Sequence, residues 1–121
     1  MQLSSSPLNK NIAKQLTGMW LGILAELNTP EEIKTVLSDA LTEAEMTAVI
    51  KRLGIAVYLD KGRSYEDIRR NIKVSSATIA SVAANLGNPG WQDMIRRIKA
   101  EEWAEKWTGK ITKGIRGLLR R

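Results

Sequence analysis

Hydrophobic residues recur at helical spacing along most of the chain. Between residues 10 and 27 they follow steps of three and four, which place a broad apolar stripe on one face of a helix. The stripe consists of Ile12, Leu16, Met19, Trp20, Ile23, Leu24 and Leu27. It is wider than a surface helix needs for packing on its own chain, so it predicts contact with a second chain as well.

Capping residues then predict two further helices. Thr29 precedes Pro30 and two glutamates, a pattern typical of a helix start, and it predicts a short helix that ends near Leu41. Thr42 and Glu45 form a capping box at the start of a longer helix, which ends at Lys61.

The longer helix carries apolar side chains on its inward face and one glycine in its interior. The inward positions predicted from spacing are Met46, Val49, Ile50, Leu53, Ala56, Val57 and Tyr58. Gly54 costs about 1 kcal/mol relative to alanine inside a helix. We therefore expect a close helix crossing at Gly54, and we expect Gly62 to end the helix in a left-handed conformation.

Residues 64–86 have the pattern of a helix-turn-helix, and this name is used below for that segment. Ser64 and Ser75 stand where its two helices should begin and can cap them. The tight connection covers residues 71–75, and Lys73 occupies the turn position where φ is positive and glycine is favoured. One small core should form between the helices from Ile68, Ile72, Val74, Ile79, Val82 and Leu86.

A loop of Gly, Asn and Pro follows at 87–90, and a last helix is predicted from about residue 90 to 107. No strand pattern occurs, so the chain is expected to be all-α with about six helices. We predict a disordered N-terminus at 1–9, a single helical domain at 10–107 and a basic C-terminal tail at 108–121.

Positive charge is concentrated in the second half of the chain. The net charge is +6 overall, with −2 in residues 1–60, +5 in residues 61–100 and +3 in residues 101–121. The positive charge begins where the helix-turn-helix begins, which favours a nucleic-acid-binding surface over an ordinary solvated face.

Several functional classes are disfavoured by composition. The chain contains no cysteine and no histidine, which removes disulfides, thiolate metal sites and the commonest general base. The acidic pairs at 31/32 and 43/45 stand in first turns of helices, where capping explains them. We expect no enzyme activity, no metal and no cofactor. No apolar run is long enough to cross a bilayer, so a cytoplasmic protein without membrane contact is expected.

The second helix of a helix-turn-helix usually lies in the DNA major groove. Small side chains occupy the face that would enter the groove: Ser75, Ser76, Ala77, Thr78, Ala80 and Ser81. None of them can make a bidentate contact to a base. The predicted phosphate contacts come from Arg63, Arg69, Arg70 and Lys73.

Residues from about 27 to 98 resemble the Trp repressor superfamily, specifically its Trp-repressor-like branch of the YerC/YecD type. The resemblance rests on LTEAE at 41–45, Arg52, LDKGRSYEDI at 59–68, SSATIASV at 75–82 and the Asn85-Leu86 exit. It implies an intertwined helical homodimer in which each subunit presents one helix-turn-helix to double-stranded DNA.

The co-repressor pocket of that superfamily holds tryptophan between two arginines beside small residues. Arg52 matches the first arginine, but Ser81 stands at the second position and Val82 replaces a neighbouring glycine. We therefore expect no tryptophan binding, with Arg52 the only remnant of the pocket and paired instead with Glu45.

Together these features predict a sequence-specific, repressor-like transcriptional regulator that binds DNA through its helix-turn-helix and does not respond to tryptophan. The alternative is a helical protein-interaction or architectural module with weak, non-specific DNA binding. The small side chains on the groove face keep this alternative open.

Overall fold

The structure, a computed structural model, describes residues 6–105 in full and the helical backbone beyond them as far as residue 119. It contains six helices and, in this described part, no strand: α1 (Lys10–Glu26), α2 (Pro30–Ala40), α3 (Glu43–Asp60), α4 (Tyr65–Ile72), α5 (Ser76–Asn85) and α6 (Pro89–Leu119). The predicted all-α class is confirmed. No helix in the described part is both long and apolar enough to cross a membrane.

Helix α6 is longer than its sequence pattern predicted. The apolar spacing predicted that this helix ends near residue 107, whereas it extends as far as Leu119. The proposed basic tail at 108–121 lies outside the residues whose side chains the structure describes, as does most of the N-terminus at 1–9.

The chain divides into two compact units, Met1–Met46 and Thr47–Arg121. The assignment of residues 10–107 to one helical domain stays a prediction. The helix-turn-helix, α4 to α5, lies wholly in the second unit.

Short polar side chains fix the helix starts, as the sequence predicted. Ser64 Oγ accepts the Asp67 amide at 3.1 Å, and Ser75 Oγ accepts the Thr78 amide at 3.2 Å. Thr29 Oγ1 likewise accepts the Glu32 amide at 3.2 Å. These bonds satisfy amides that have no partner within their own helix.

The capping box before α3 is reciprocal. The Glu45 amide donates to Thr42 Oγ1 at 3.1 Å, and Glu45 Oε1 accepts the Thr42 amide at 2.8 Å. The bond from the Thr42 amide stabilises the charged carboxylate, with a further contribution from the Thr42 side chain, so the pKa of Glu45 is lowered. The predicted pair of Glu45 with Arg52 stays a prediction.

In the first unit, helix α1 contains no buried residue. Its apolar stripe is largely open to solvent, with Leu16 50 %, Met19 59 % and Ile23 46 % exposed. Apolar side chains at helical spacing are usually covered, so this face is an unusually large exposed apolar surface.

In the second unit, one small core joins α3, α4, α5 and α6. Ile55, Ile68 and Ile79 are fully buried and come from three different helices. Ala56, Val82 and Ile95 complete the buried set, and Ile72, Val74 and Leu86 pack against it. The predicted core of the helix-turn-helix is therefore confirmed.

The inward face of α3 was only partly predicted. Ile55 is fully buried although spacing did not select it, whereas Val49 and Ile50 are 49 % and 61 % exposed. Residues 53–59 are apolar almost without interruption. Periodicity cannot choose one face of such a run, so only packing reveals it.

The side chain of Ile72, at the end of α4, approaches α3 at Gly54, where the sequence predicted a close crossing. A Cβ built on Gly54 would lie 3.0 Å from the Ile72 Cδ1 atom. A larger residue at 54 would require the end of the Ile72 side chain to shift by a few tenths of an ångström, whereas the backbone of Gly54 is ordinary helix.

Replacing Ile79 with alanine should lower the free energy of unfolding by about 2–5 kcal/mol, because the substitution leaves a cavity in a fully packed site. Urea denaturation followed by circular dichroism measures this change. Ser81→Ala, on the exposed face of the same helix, is the matched control and should stay within about 0.5 kcal/mol of wild type. Equal losses in the two variants would contradict the assignment of Ile79 to the core.

Candidate nucleic-acid interface

The turn between α4 and α5 has the geometry that the sequence predicted. Lys73 caps α4 with φ 62° and ψ 59°, in the left-handed region. It is the one non-glycine residue with positive φ in the described part of the chain. Its amide donates to the Arg69 carbonyl at 3.0 Å, which closes the last turn of α4. The chain then leaves in an extended direction and restarts at the Ser75 cap.

Helix α5 presents its small residues to solvent and its large apolar residues to the core. Ile79 and Val82 are buried. The six residues predicted for the groove face are all exposed: Ser75, Ser76, Ala77, Thr78, Ala80 and Ser81. The structure therefore places them together on one accessible helix surface, free of any large side chain.

Two hydroxyl groups on this surface are already engaged. Ser75 Oγ and Thr78 Oγ1 lie 2.9 Å apart and share a hydrogen bond, in addition to the bond from the Thr78 amide. The start of α5 is thereby held rigidly. A hydroxyl can still accept or donate a further bond, but its direction is set by the cap.

The four predicted phosphate-binding residues are also exposed, and they flank α4. Arg63 precedes the helix, whereas Arg69, Arg70 and Lys73 lie in its last turn or cap. A helix of this length spans about 12 Å. The cations therefore occupy both ends of α4, and those in its last turn and cap lead directly into α5.

Arg63 differs from the other three because its charge has partners within the chain. Its guanidinium forms an ion pair with Asp67 and lies 4.8 Å from the centre of the Tyr58 ring. The hydrogen bond from Arg63 lowers the pKa of Asp67, and Asn71 Nδ2 adds a second bond to that carboxylate at 2.9 Å. Arg69, Arg70 and Lys73 take part in none of the ion pairs that the structure describes, so they are more available to an external anion.

A cavity of about 620 Å³ lies against α5, on the side that carries Ala77, Thr78 and Ser81 of the predicted groove face. Its lining comes from α3, α5, α6 and the loop before α6: Arg52, Ala77, Thr78, Ser81, Val82, Asn85, Asn88 and Trp91. The volume falls within the range of small-molecule sites. Val82, which stands where a glycine was expected in the co-repressor pocket, lines this cavity and does not close it.

Sequence analysis identified Arg52 in this cavity but missed Asn85, Asn88 and Trp91 as lining residues. The Gly, Asn and Pro loop at 87–90 was recognised only as a break between helices. The turn that this loop makes brings Trp91 back beside α5, and no local pattern signals that return.

Comparison with known proteins agrees with these features. The family model described as Trp repressor protein matches residues 15–99. The uncharacterized protein YerC of Bacillus subtilis (strain 168) is 30 % identical over 97 residues, which cover 78 % of this chain and 92 % of that protein. No solved structure gave a significant match. The chain, with its helix-turn-helix and exposed α5, belongs to the Trp repressor family.

Proposed function

We propose that this protein is a sequence-specific DNA-binding transcriptional regulator of the repressor type, which places α5 in the major groove. The observation that carries the proposal is the exposure of the six small residues at 75–78, 80 and 81, which directly follow the cations at the end of α4 along the chain. A surface without large side chains lets a helix approach base edges closely. Family membership supports the same function.

Phosphate contacts supply most of the affinity in this proposal. Arg69, Arg70 and Lys73 lie at the end of α4 that leads into α5, so a helix seated in the groove brings them towards the DNA backbone. Arg63 contributes less because Asp67 already neutralises much of its charge. Each phosphate contact releases counterions, and binding therefore weakens as salt concentration rises.

In this proposal, discrimination among DNA sequences comes from contacts between short side chains and the bases. Alanine and threonine methyl groups can contact thymine methyls, and serine hydroxyls can bond either directly or through water. Sequence-dependent DNA shape adds to this readout. The absence of any bidentate side chain among these six residues also supports a second candidate, an architectural or protein-interaction module that binds DNA weakly and without sequence preference.

The active form in this proposal is a homodimer. Helix α1 exposes Leu16, Met19, Trp20 and Ile23 along one face. Burying such a stripe against a second copy stabilises the assembly by roughly 25 cal/mol for each square ångström of apolar surface removed from water. A symmetric dimer then offers two copies of α5 to successive turns of the major groove.

Tryptophan is not the effector in this proposal. The cavity beside α5 contains one arginine, Arg52, and the serine and valine at 81 and 82 face it in place of a second arginine and a glycine. A single guanidinium cannot hold an indole ring from both sides.

Arg70→Ala should weaken binding to all DNA sequences about equally and reduce the slope of log affinity against log salt by roughly one. Fluorescence anisotropy on duplexes chosen from a random pool, titrated between low and high salt, measures both effects. Arg70→Lys keeps the charge and should keep the slope. An unchanged slope in Arg70→Ala would show that Arg70 does not contact phosphate, and no binding by the wild type at about 50 mM salt would overturn the proposed function.

Ile23→Glu should convert a dimer into a monomer, because it places a charge in the centre of the apolar face of α1. Light scattering after size-exclusion chromatography gives the mass in solution. Lys14→Glu introduces the same residue on the opposite side of α1 and should leave the mass unchanged. A monomeric wild type would contradict the homodimer.

Millimolar tryptophan should change neither the DNA affinity nor the melting temperature of the protein, since the second arginine is missing. Isothermal titration calorimetry of the protein with tryptophan tests the same point directly. Saturable heat at one site for each chain would contradict this prediction.

A further inference from the structure

Lys51 forms a hydrogen bond that reaches from α3 to the backbone of the turn between α4 and α5. Its Nζ atom donates to the Lys73 carbonyl oxygen at 3.0 Å, across 22 residues of sequence. Lys51 is half-buried on α3, unlike the exposed cations of α4. Its ammonium is directed at the residue that joins the two helices of the motif.

The Lys73 carbonyl lies outside the regular hydrogen bonding of α4. Lys73 leaves α4 in the left-handed conformation, so its carbonyl no longer continues the hydrogen-bonding of that helix. Among the turn and loop bonds that the structure describes, no backbone amide donates to it. A carbonyl bonded by an ammonium gains a charge-assisted bond, which is stronger than a neutral one.

The neighbouring residue, Ile72, also rests on α3. Gly54 lies one helical turn after Lys51, and the close approach of 3.0 Å is to the Ile72 side chain. Helix α3 therefore holds two consecutive residues of the turn, one by a hydrogen bond and one by close packing. Lysine adopts the left-handed conformation only at a cost in free energy. At Lys73 this conformation is supported by α3, which lies outside the helix-turn-helix.

We propose that Lys51 is a positioning residue for DNA binding: by holding the Lys73 carbonyl, it sets the angle at which α5 leaves α4. This inference rests on the proposed function, because the angle matters only if α5 enters a groove. In this inference Lys51 acts through the turn, by the bond from its ammonium to the Lys73 carbonyl.

The test compares Lys51→Met, which keeps the aliphatic stem, with Lys51→Arg, which keeps a charged donor. In the free protein, exchange of the hydrogen-bonded amides of Lys73 and Thr78 should accelerate about tenfold or more in Lys51→Met, as expected for loss of a hydrogen bond to a charged group. Exchange within α1 should stay as in wild type. Lys51→Arg should restore slow exchange at the turn.

DNA binding separates positioning from direct contact. Lys51→Met should lower the affinity for selected duplex DNA about tenfold with an unchanged salt slope, whereas loss of a phosphate contact would reduce the slope by about one. Lys51→Arg should recover the affinity. Lys61→Met, which removes an equal charge from an exposed ion pair with Glu102, is the control and should leave exchange at the turn unchanged.

Each other outcome overturns the inference. Unchanged exchange in Lys51→Met shows that the bond does not hold the turn, and a reduced salt slope shows that Lys51 contacts phosphate. Lys51→Gln, whose side chain is too short to reach the carbonyl, replaces the methionine variant if that variant does not fold. Wild-type exchange rates in Lys51→Gln would equally show that the bond does not hold the turn. If the wild type binds no DNA, the proposed function fails, while the exchange experiment still decides whether Lys51 holds the turn.

Discussion

Everything proposed for this protein depends on the burial of three isoleucines against one another. Ile55, Ile68 and Ile79 come from α3, α4 and α5, and each is fully buried. Two short helices of eight and ten residues do not persist alone in water. They are held because α3 supplies the third side of their core. The ion pairs between the end of α3 and α6, Lys61–Glu102 and Asp60–Lys99, are exposed and each contributes about 1 kcal/mol or less.

This core is small, and its size has a consequence for assembly. In the described residues only six side chains are buried, while α1 and part of α3 leave large apolar residues in solvent. Each such residue would gain roughly 1.5–3 kcal/mol from full burial. A chain that buries so little within itself and exposes so much at regular helical spacing is suited to completing its packing against a second copy.

Helix starts and the turn were predictable from sequence because each depends on residues next to one another. Ser64, Thr42 and Ser75 bond amides three residues ahead, and Lys73 occupies a position defined by the length of the turn. The burial of Ile55 was not predictable, because it is set by packing within a continuous apolar run. The lining of the cavity by Trp91, the engagement of Arg63 by Asp67 and the bond from Lys51 to Lys73 each join side chains whose meeting depends on the fold.

The short side chains of α5 make its position relative to DNA important for the proposed function. Long side chains can bend to reach a base when a helix is slightly misplaced, but serine and alanine cannot. Ser75 and Thr78 are further restricted by their shared hydrogen bond. A helix that reads DNA with short side chains must therefore arrive at the right depth and angle before any contact forms. Helix α3 contacts the turn through a hydrogen bond at Lys73 and close packing at Ile72. In the proposed function, the depth and angle of α5 are therefore set by α3 and not by the residues that face the groove.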